Sequence, residues 1–363
     1  MGKIDELIQQ YCPDGVEYVN VGDVCDIHKG VQFNKSDMKE MGSYPVMNGG
    51  INPSGYAEVF NEDENTITIS QGGASAGYVN FLDSKFWLGA HCYALKPYSV
   101  VMNRYLYHYI KQSEITLQQC QYGAGIPALA KSTISSLEIP LPPLPVQEAI
   151  VNILDRFAVY AAELQAELQA RQQQYNYYCD TLLSFEGRED VQWKKLGEVL
   201  KIKNGRDYKH LNNGNVPVYG SGGVMTYVDT QVYDKPSVLI PRKGSIDKLY
   251  YVDCPFWNVD TIFYTEINAS IVIEKYVFYI LQKEHLEKLN TGGGVPSLTQ
   301  KVLNGVVIPI PPLSEQQRIV DILDRFDTLV NDLSQGLPAE IEARQQQYEY
   351  YRDQLLTFKR KEA

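Results

Sequence analysis

The chain has no paired cysteines. Cys12, Cys25, Cys92, Cys120, Cys179 and Cys254 are scattered without a CxxC pair. That excludes a disulfide framework or zinc ribbon and suits reduced thiols in a cytoplasm. The five histidines are scattered too, with no paired ligand spacing, so no metal site is expected. No apolar run approaches a membrane span, and the opening MGKIDELIQQYCPDG has no signal-peptide core. Catalytic signatures are also missing. The glycine runs at 123–125 and 292–294 lack the following GK[ST] of a phosphate loop. Asn52-Pro53-Ser54-Gly55-Tyr56 matches the Asn-Pro-Pro-Tyr of adenine methyltransferases poorly. It lacks the second proline, no FxGxG loop precedes it, and it occurs once. There is no GxSxG elbow and no carboxylate pair repeated in both halves. The expectation is a chain with no catalytic residue, metal or cofactor of its own.

Basic charge is scarce overall. The net charge is −11, with 44% hydrophobic and 21% charged residues, the composition of a globular protein. The 363 residues suffice for two or three domains with real cores. The acidity is uneven. Segment 16–138 holds 8 basic and 12 acidic residues, whereas 186–305 holds 15 and 14. The remainder holds 10 and 18. Such a remainder repels phosphate and suits basic protein partners.

What is present is a duplication. IPLPPLPVQEAIVNILDRF at 139–157 answers IPIPPLSEQQRIVDILDRF at 308–326. ARQQQYNYYCDTLLSF, ending at Phe185, answers ARQQQYEYYRDQLLTF, ending at Phe358. The stretches before them match more loosely. VEYVNVGDVCDIHKG pairs with VQWKKLGEVLKIKNG, ITISQGGASAGYV with VLIPRKGSIDKLYYV, and GAGIPAL with GGGVPSL. FW recurs at Phe86-Trp87 and Phe256-Trp257. Shared positions are mostly Gly, Pro and apolar residues that set a fold.

Each divergent stretch has short β-type runs punctuated by Gly, Asn and Pro, with one helix near 103–112 and near 274–290. The expectation is an α+β module dominated by an antiparallel sheet, used twice. Each IPxPPL stretch must be extended, because Pro blocks helix and restricts the residue before it. Helices then begin near Val146 and Ser314. Seam positions at 157, 161, 164, 168, 171, 175, 178, 182 and 185 alternate steps of four and three, a heptad pattern. The second seam, from 326 to 358, has consecutive four-residue steps at 333–337–341, a stutter. Gly336 and Pro338 sit there, so this helix is expected to break and restart with Pro338 in its first turn. The two helices are expected to pair antiparallel. Segment 157–185, at about 1.5 Å per residue, spans roughly 40 Å, comparable with a B-DNA turn of about 34 Å. A plain dimerisation coiled coil is the other reading. DELI at 5–8 precedes the first module as DTLL at 180–183 precedes the second. That stub either packs beside the C-terminal helix, closing a pseudo-twofold arrangement, or is a frayed end.

Polar loop residues following short strands are the candidate ligand contacts. In the first copy these are Lys29, Gln32, Asn48, Gln71, Gly73 and Ser75. In the second they are Lys203, Arg206, Tyr208, Lys209, Ser221, Arg242, Lys243 and Ser245. Gln, Arg, Lys and Ser bond base edges or phosphates, and Gly permits close backbone approach. Taken singly, each is also an ordinary solvated side chain. Of the 27 tyrosines, Tyr105, Tyr107, Tyr109, Tyr175, Tyr177 and Tyr178 read as core or interface residues with a polar tip.

In combination these motifs resemble the DNA-specificity subunits of type I restriction–modification systems, over essentially the whole length. The carriers are the two IPxPPL-to-LDRF stretches, AELQAELQARQQQYNYY, GLPAEIEARQQQYEYYRDQLLTF and the GxGxPxL segments. The resemblance implies two target-recognition domains separated by long helices. The corresponding division is a stub at 1–15, recognition domains at 16–144 and 187–312, a central helix at 145–186 and a C-terminal helix at 313–363. It also implies a non-catalytic chain reading a bipartite site in double-stranded DNA and docking two methyltransferase subunits, which modify adenine at N6. Restriction subunits complete such a system, and S-adenosylmethionine, ATP and Mg belong to the partners. The alternative is a coiled-coil scaffold that binds proteins through two variable heads.

Overall fold

A computed structural model describes residues 2–362 apart from 124, 126, 291, 293 and 333. Seam position Leu333 and parts of the two GxGxPxL segments therefore lie outside the described residues. Contacts divide the chain into two units, Met1–Leu164 with Ile341–Ala363, and Gln165–Glu340.

Each unit holds one module, and the modules repeat strand for strand. In the first, Cys25–Lys29, Cys92–Pro97, Thr66–Ser70 and Val79–Leu82 form an antiparallel sheet in that order. Leu200–Asn204, Ile262–Ile267, Ser237–Pro241 and Tyr250–Val252 do the same in the second. The strands Thr66–Ser70 and Ser237–Pro241 are buried throughout, because both faces are covered. A three-stranded sheet joins each and differs from the expected antiparallel pattern. Tyr44–Met47 pairs parallel with Trp87–Leu88, and Asn213–Gly220 pairs parallel with Trp257–Asn258. The FW motif thus carries a strand of its own.

The extended IPxPPL stretches are used as strands. Glu138–Pro140 pairs with Tyr18–Asn20, and Val307–Ile310 pairs with Gln192–Lys195. Each module therefore begins and ends side by side at its helices. The helix Asn103–Gln112 buries Tyr105, whose hydroxyl donates to Pro140 O at 2.9 Å. Tyr276, on Glu274–Lys283, donates to Pro309 O at 3.0 Å. This second helix is shorter than expected. It stops at Lys283, and His285 turns the chain through φ 51° into a short 3-10 turn, Leu286–Leu289.

Helices start at Leu144 and Leu313. A buried glutamine fastens each start. Gln147 Nε2 donates to Pro142 O (2.7 Å) and Val100 O (3.2 Å), and its Oε1 accepts from Met102 N (2.8 Å). Gln316 does the same with Pro311 O, Ile271 O and Ile273 N. About two turns further on, the aspartate of LDRF holds the module helix. Asp155 pairs with Arg104 (2.5 Å) and His108 (2.8 Å), and Asp324 with Lys275 (2.8 Å) and Tyr279 (2.5 Å).

The central helix Leu144–Leu182 keeps every seam position buried or half-buried. The second seam breaks as expected between Leu313–Asn331 and Leu337–Leu355. Arg344 departs from the pattern and is exposed, its guanidinium donating to Gln347 Oε1 at 3.0 Å. Within the first unit, Phe157 stacks on Tyr351; within the second, Tyr178 stacks on Phe326 at 4.9 Å. Tyr175 is buried and Tyr177 is exposed. The N-terminal helix Gly2–Tyr11 is not frayed. Ile4 is buried in one cluster with Leu355 and Leu356, and Val16 bridges Arg360. Among the described residues no helix is long and apolar enough to cross a membrane.

Candidate nucleic-acid interface

Three loops converge at one end of each module, and the same hydrogen bonds place them in both copies. The loop after the first sheet strand is held by the FW strand. Trp87 Nε1 donates to Val31 O, and Trp257 Nε1 to Arg206 O, both at 3.0 Å. Val31 N donates to Leu88 O (3.0 Å) and Arg206 N to Asn258 O (2.9 Å). The approach demands glycine. A Cβ on Gly30 would lie 2.3 Å from Gly89 O, and one on Gly205 would lie 2.0 Å from Val259 O.

The loop after the buried strand hangs on two supports. Gln71 N donates to His91 O and Arg242 N to Thr261 O, each at 2.8 Å. From the other side, Leu129 N donates to Gln71 O (2.7 Å) and Leu298 N to Arg242 O (2.9 Å). The GxGxPxL segment is therefore the backing of this loop. Gly73 N reaches Pro127 O and Gly244 N reaches Pro296 O, with both glycines at φ near +80° (81° and 83°). The third loop meets the same pivot. Gly89 N donates to Met47 O (2.8 Å) and Val259 N to Tyr219 O (3.0 Å) at its base, and different bonds then reach the pivot: Asn48 Oδ1 accepts from His91 N at 3.3 Å, and Ser221 N donates to Thr261 Oγ1 at 3.4 Å.

In the second module the structure brings most candidates together. Arg206, Tyr208, Lys209 and Ser221 line one cleft of about 910 Å³ with Asp207, Asp260 and Thr261. Arg242 and Lys243 adjoin it through their amides on Thr261 O, and Ser245 sits in the same turn. Lys203 stands apart, on its strand with Nζ 3.5 Å from Glu266 Oε1. In the first module Asn48 and Gln71 gather about His91, Gly73 is held on Pro127 O, and Ser75 closes the turn by accepting from Tyr78 N. Lys29 is an exposed strand end, and Gln32 donates to its neighbour Phe33 O at 3.0 Å. Neither is drawn into the cluster by a hydrogen bond. The Gln71 Oε1 atom is buried and has no partner among the described residues.

A profile of the type I restriction modification DNA specificity domain matches residues 13–171 and again 188–343. The chain belongs to that family. A specificity subunit of a type I restriction enzyme from Escherichia coli is 37% identical over 268 residues, 64% of this chain and 66% of that protein. The chain thus spans just under two thirds of that relative. A putative type I restriction enzyme specificity subunit from Haemophilus influenzae is 30% identical over 354 residues, 89% of this chain and 90% of that one. The fold is shared with the crystal structure of a type I restriction–modification S subunit from M. genitalium. Its TM-score is 0.73 at 22% identity, over 94% of this chain and 96% of that one. Specificity subunits are non-catalytic, and in such systems catalysis lies with partner subunits.

For this specificity-family chain the electrostatics of the two sites differ. In the first module Lys39, Lys85, Lys96, Arg104 and Lys111 are each taken up by a carboxylate, with Glu58, Asp63, Glu62, Asp155 and Glu114. In the second, Arg206, Lys209, Arg242 and Lys243 have no carboxylate partner among the described residues. Burial pushes the Cys92 thiol beside the first site up to about 12, so it stays protonated. Sequence reasoning missed the pivots His91 and Thr261 and the cleft's Asp260. Their signal was available, since each pivot stands four residues after the FW tryptophan in its own copy.

Proposed function

We propose that this chain is a non-catalytic, sequence-specific DNA-recognition subunit that reads a bipartite duplex site, one half per module. The observation that carries this reading is the three-loop site built twice on the same backbone bonds with different side chains. A shared scaffold with exchanged tips suits two distinct half-sites, because base choice lies in side chains at the groove edge. The exposed acidic helices serve as the docking platform for two adenine-N6 methyltransferase subunits, with restriction subunits added in a full system. In the first unit a groove of about 530 Å³, lined by Ile4, Leu7, Glu148, Asn152 and Arg156, supports docking on that frame. S-adenosylmethionine, ATP and Mg belong to the partners, and the assembly works in the cytoplasm.

The test is a module exchange. Residues 16–138 are replaced by those of another specificity subunit, and modified adenines are sequenced in a host expressing the complex. One half of the methylated site should change while the other stays. A change in both halves overturns the assignment of one half-site to each module.

A further inference from the structure

Three positions of the two sites are matched by equivalent backbone bonds, and at each the second module has a cation where the first has a neutral residue. Residues 31 and 206 each lie under the indole N–H of the FW tryptophan, and they are Val and Arg. Residues 71 and 242 each donate to the carbonyl of the pivot residue, and they are Gln and Arg. Residues 72 and 243 each bridge the GxGxPxL segment, at Ala128 and Ser297, and they are Gly and Lys. Nearby exchanges run the other way: Lys29 stands against Asn204 and Lys131 against Gln300, and the cleft carboxylates Asp207 and Asp260 stand against Gln32 and Ala90.

From this we infer that the modules divide the work unequally. The second is the electrostatic anchor on the phosphate backbone of duplex DNA, and the first reads its half-site with neutral groups and little phosphate affinity. The inference rests on the DNA-recognition reading above. It follows from where the cations are and from what they lack. Arg206 lines the open cleft, Arg242 and Lys243 adjoin it, and none of the three has a carboxylate partner among the described residues, so they are available to phosphate without first breaking an ion pair. The corresponding rim of the first module carries no formal charge at these three positions. It presents the neutral Gln71 instead, whose backbone N–H donates to His91 O. A neutral amide of that kind reads a base edge and gives no counterion release.

The experiment measures the affinity of the full chain for a random-sequence duplex as a function of salt. In one variant the anchor takes the first module's residues, Arg206→Val with Arg242→Gln and Lys243→Gly, each already present on the same backbone in the sister module. In the reverse variant Gln71→Arg is combined with Gly72→Lys, where an added Cβ meets nothing closer than Pro127 O at 3.7 Å. A control removes three exposed lysines that do not line the cleft, Lys235→Gln, Lys288→Gln and Lys301→Gln. Each phosphate contact contributes about 0.9 to the slope of log K against log salt. The anchor variant should lose up to about 2.7 of slope and the reverse variant should gain up to about 1.8. The control should move far less than the anchor variant. Equal losses in anchor variant and control reduce the effect to net charge and overturn the anchor. An unchanged slope in the anchor variant overturns it too, as does failure of the unaltered chain to bind at any salt. In those cases the half-site experiment still decides the DNA-recognition reading separately.

Discussion

His108 and Asp155 meet at 2.8 Å in the first unit, where the second unit sets Tyr279 against Asp324. His108 is fully buried, and Tyr348 OH lies 3.2 Å from its Nδ1. Burial lowers its pKa against the pull of Asp155, with Arg104 and Arg352 adding to the lowering. The imidazole is therefore neutral, donating to Asp155 and accepting from Tyr348. The unfolded chain takes up this proton near pH 6.5, while the folded one takes it up only at lower pH. Stability from this site is whole above about pH 6.5 and is lost as pH falls through the folded value. Asp155 follows lower down. Burial opposes its ionisation, but hydrogen bonds from His108 and Arg104 win and hold it at about 2, so its share is lost as pH falls from about 4 toward 2. Denaturation midpoints between pH 8 and pH 5 should fall for the first unit. His108→Gln keeps both hydrogen bonds without titrating, and it should flatten that fall. An equal fall in the variant refutes the assignment.

Gln147 is predicted to be a strong stability determinant despite being polar. Its truncation to Ala leaves the buried Pro142 O and the part-buried Met102 N and Val100 O without this partner. One unsatisfied buried group costs about 1–3 kcal/mol, so a loss of about 2–4 kcal/mol is expected in urea unfolding. Gln316→Ala should cost the second unit a similar amount. By contrast Arg360→Ala, which breaks an exposed pair with Glu138, should cost far less. A ranking in the reverse order would show that the ion pair, not the buried amide, fastens the frame.

Gly336 is predicted to be irreplaceable at the helix break. A Cβ there would lie 2.5 Å from Thr328 O, 2.7 Å from Asp332 O and 2.8 Å from Leu329 O. All three are backbone atoms, so the break itself must shift. Gly336→Ala should destabilise by about 1–3 kcal/mol, the range for overpacking. Gly222→Ala, with nothing within 4 Å, should be near neutral. Thermal melts of the two variants make the comparison, and indistinguishable melts would count against a fixed break.

Removing Gln165–Leu168 from the uninterrupted central helix shortens it by about 6 Å, between one and two base pairs of rise. Methylated sites sequenced from a complex carrying this deletion should keep both half-sites and lose spacer length. An active complex with an unaltered spacer would show that the helix does not set it.

The frame was legible because its signals are local. Proline fixed the extended stretches, Gly336 and Pro338 marked the break, and the seam positions of the central helix from Phe157 onward are buried or half-buried. The site was half legible. Polar residues after short strands pointed to Arg206, Ser221 and Arg242, which the fold does gather. Two of those loops meet only because the parallel FW strand and the GxGxPxL backing bring distant segments together. No periodicity reports a pairing of that kind. Lys203 shows the converse, since a strand lysine reads as free until Glu266 is found across the ladder.

The first unit is discontinuous, and that orders its biosynthesis. Leu355 and Leu356 belong to the same buried cluster as Ile4, Ile150 and Leu154. A ribosome releases the early residues of this core long before the late ones, whereas Gln165–Glu340 emerges as one stretch. The unit made first is thus the one completed last, and until Leu356 emerges this cluster lacks its last members and is open to whatever chaperone or neighbouring nascent chain reaches it.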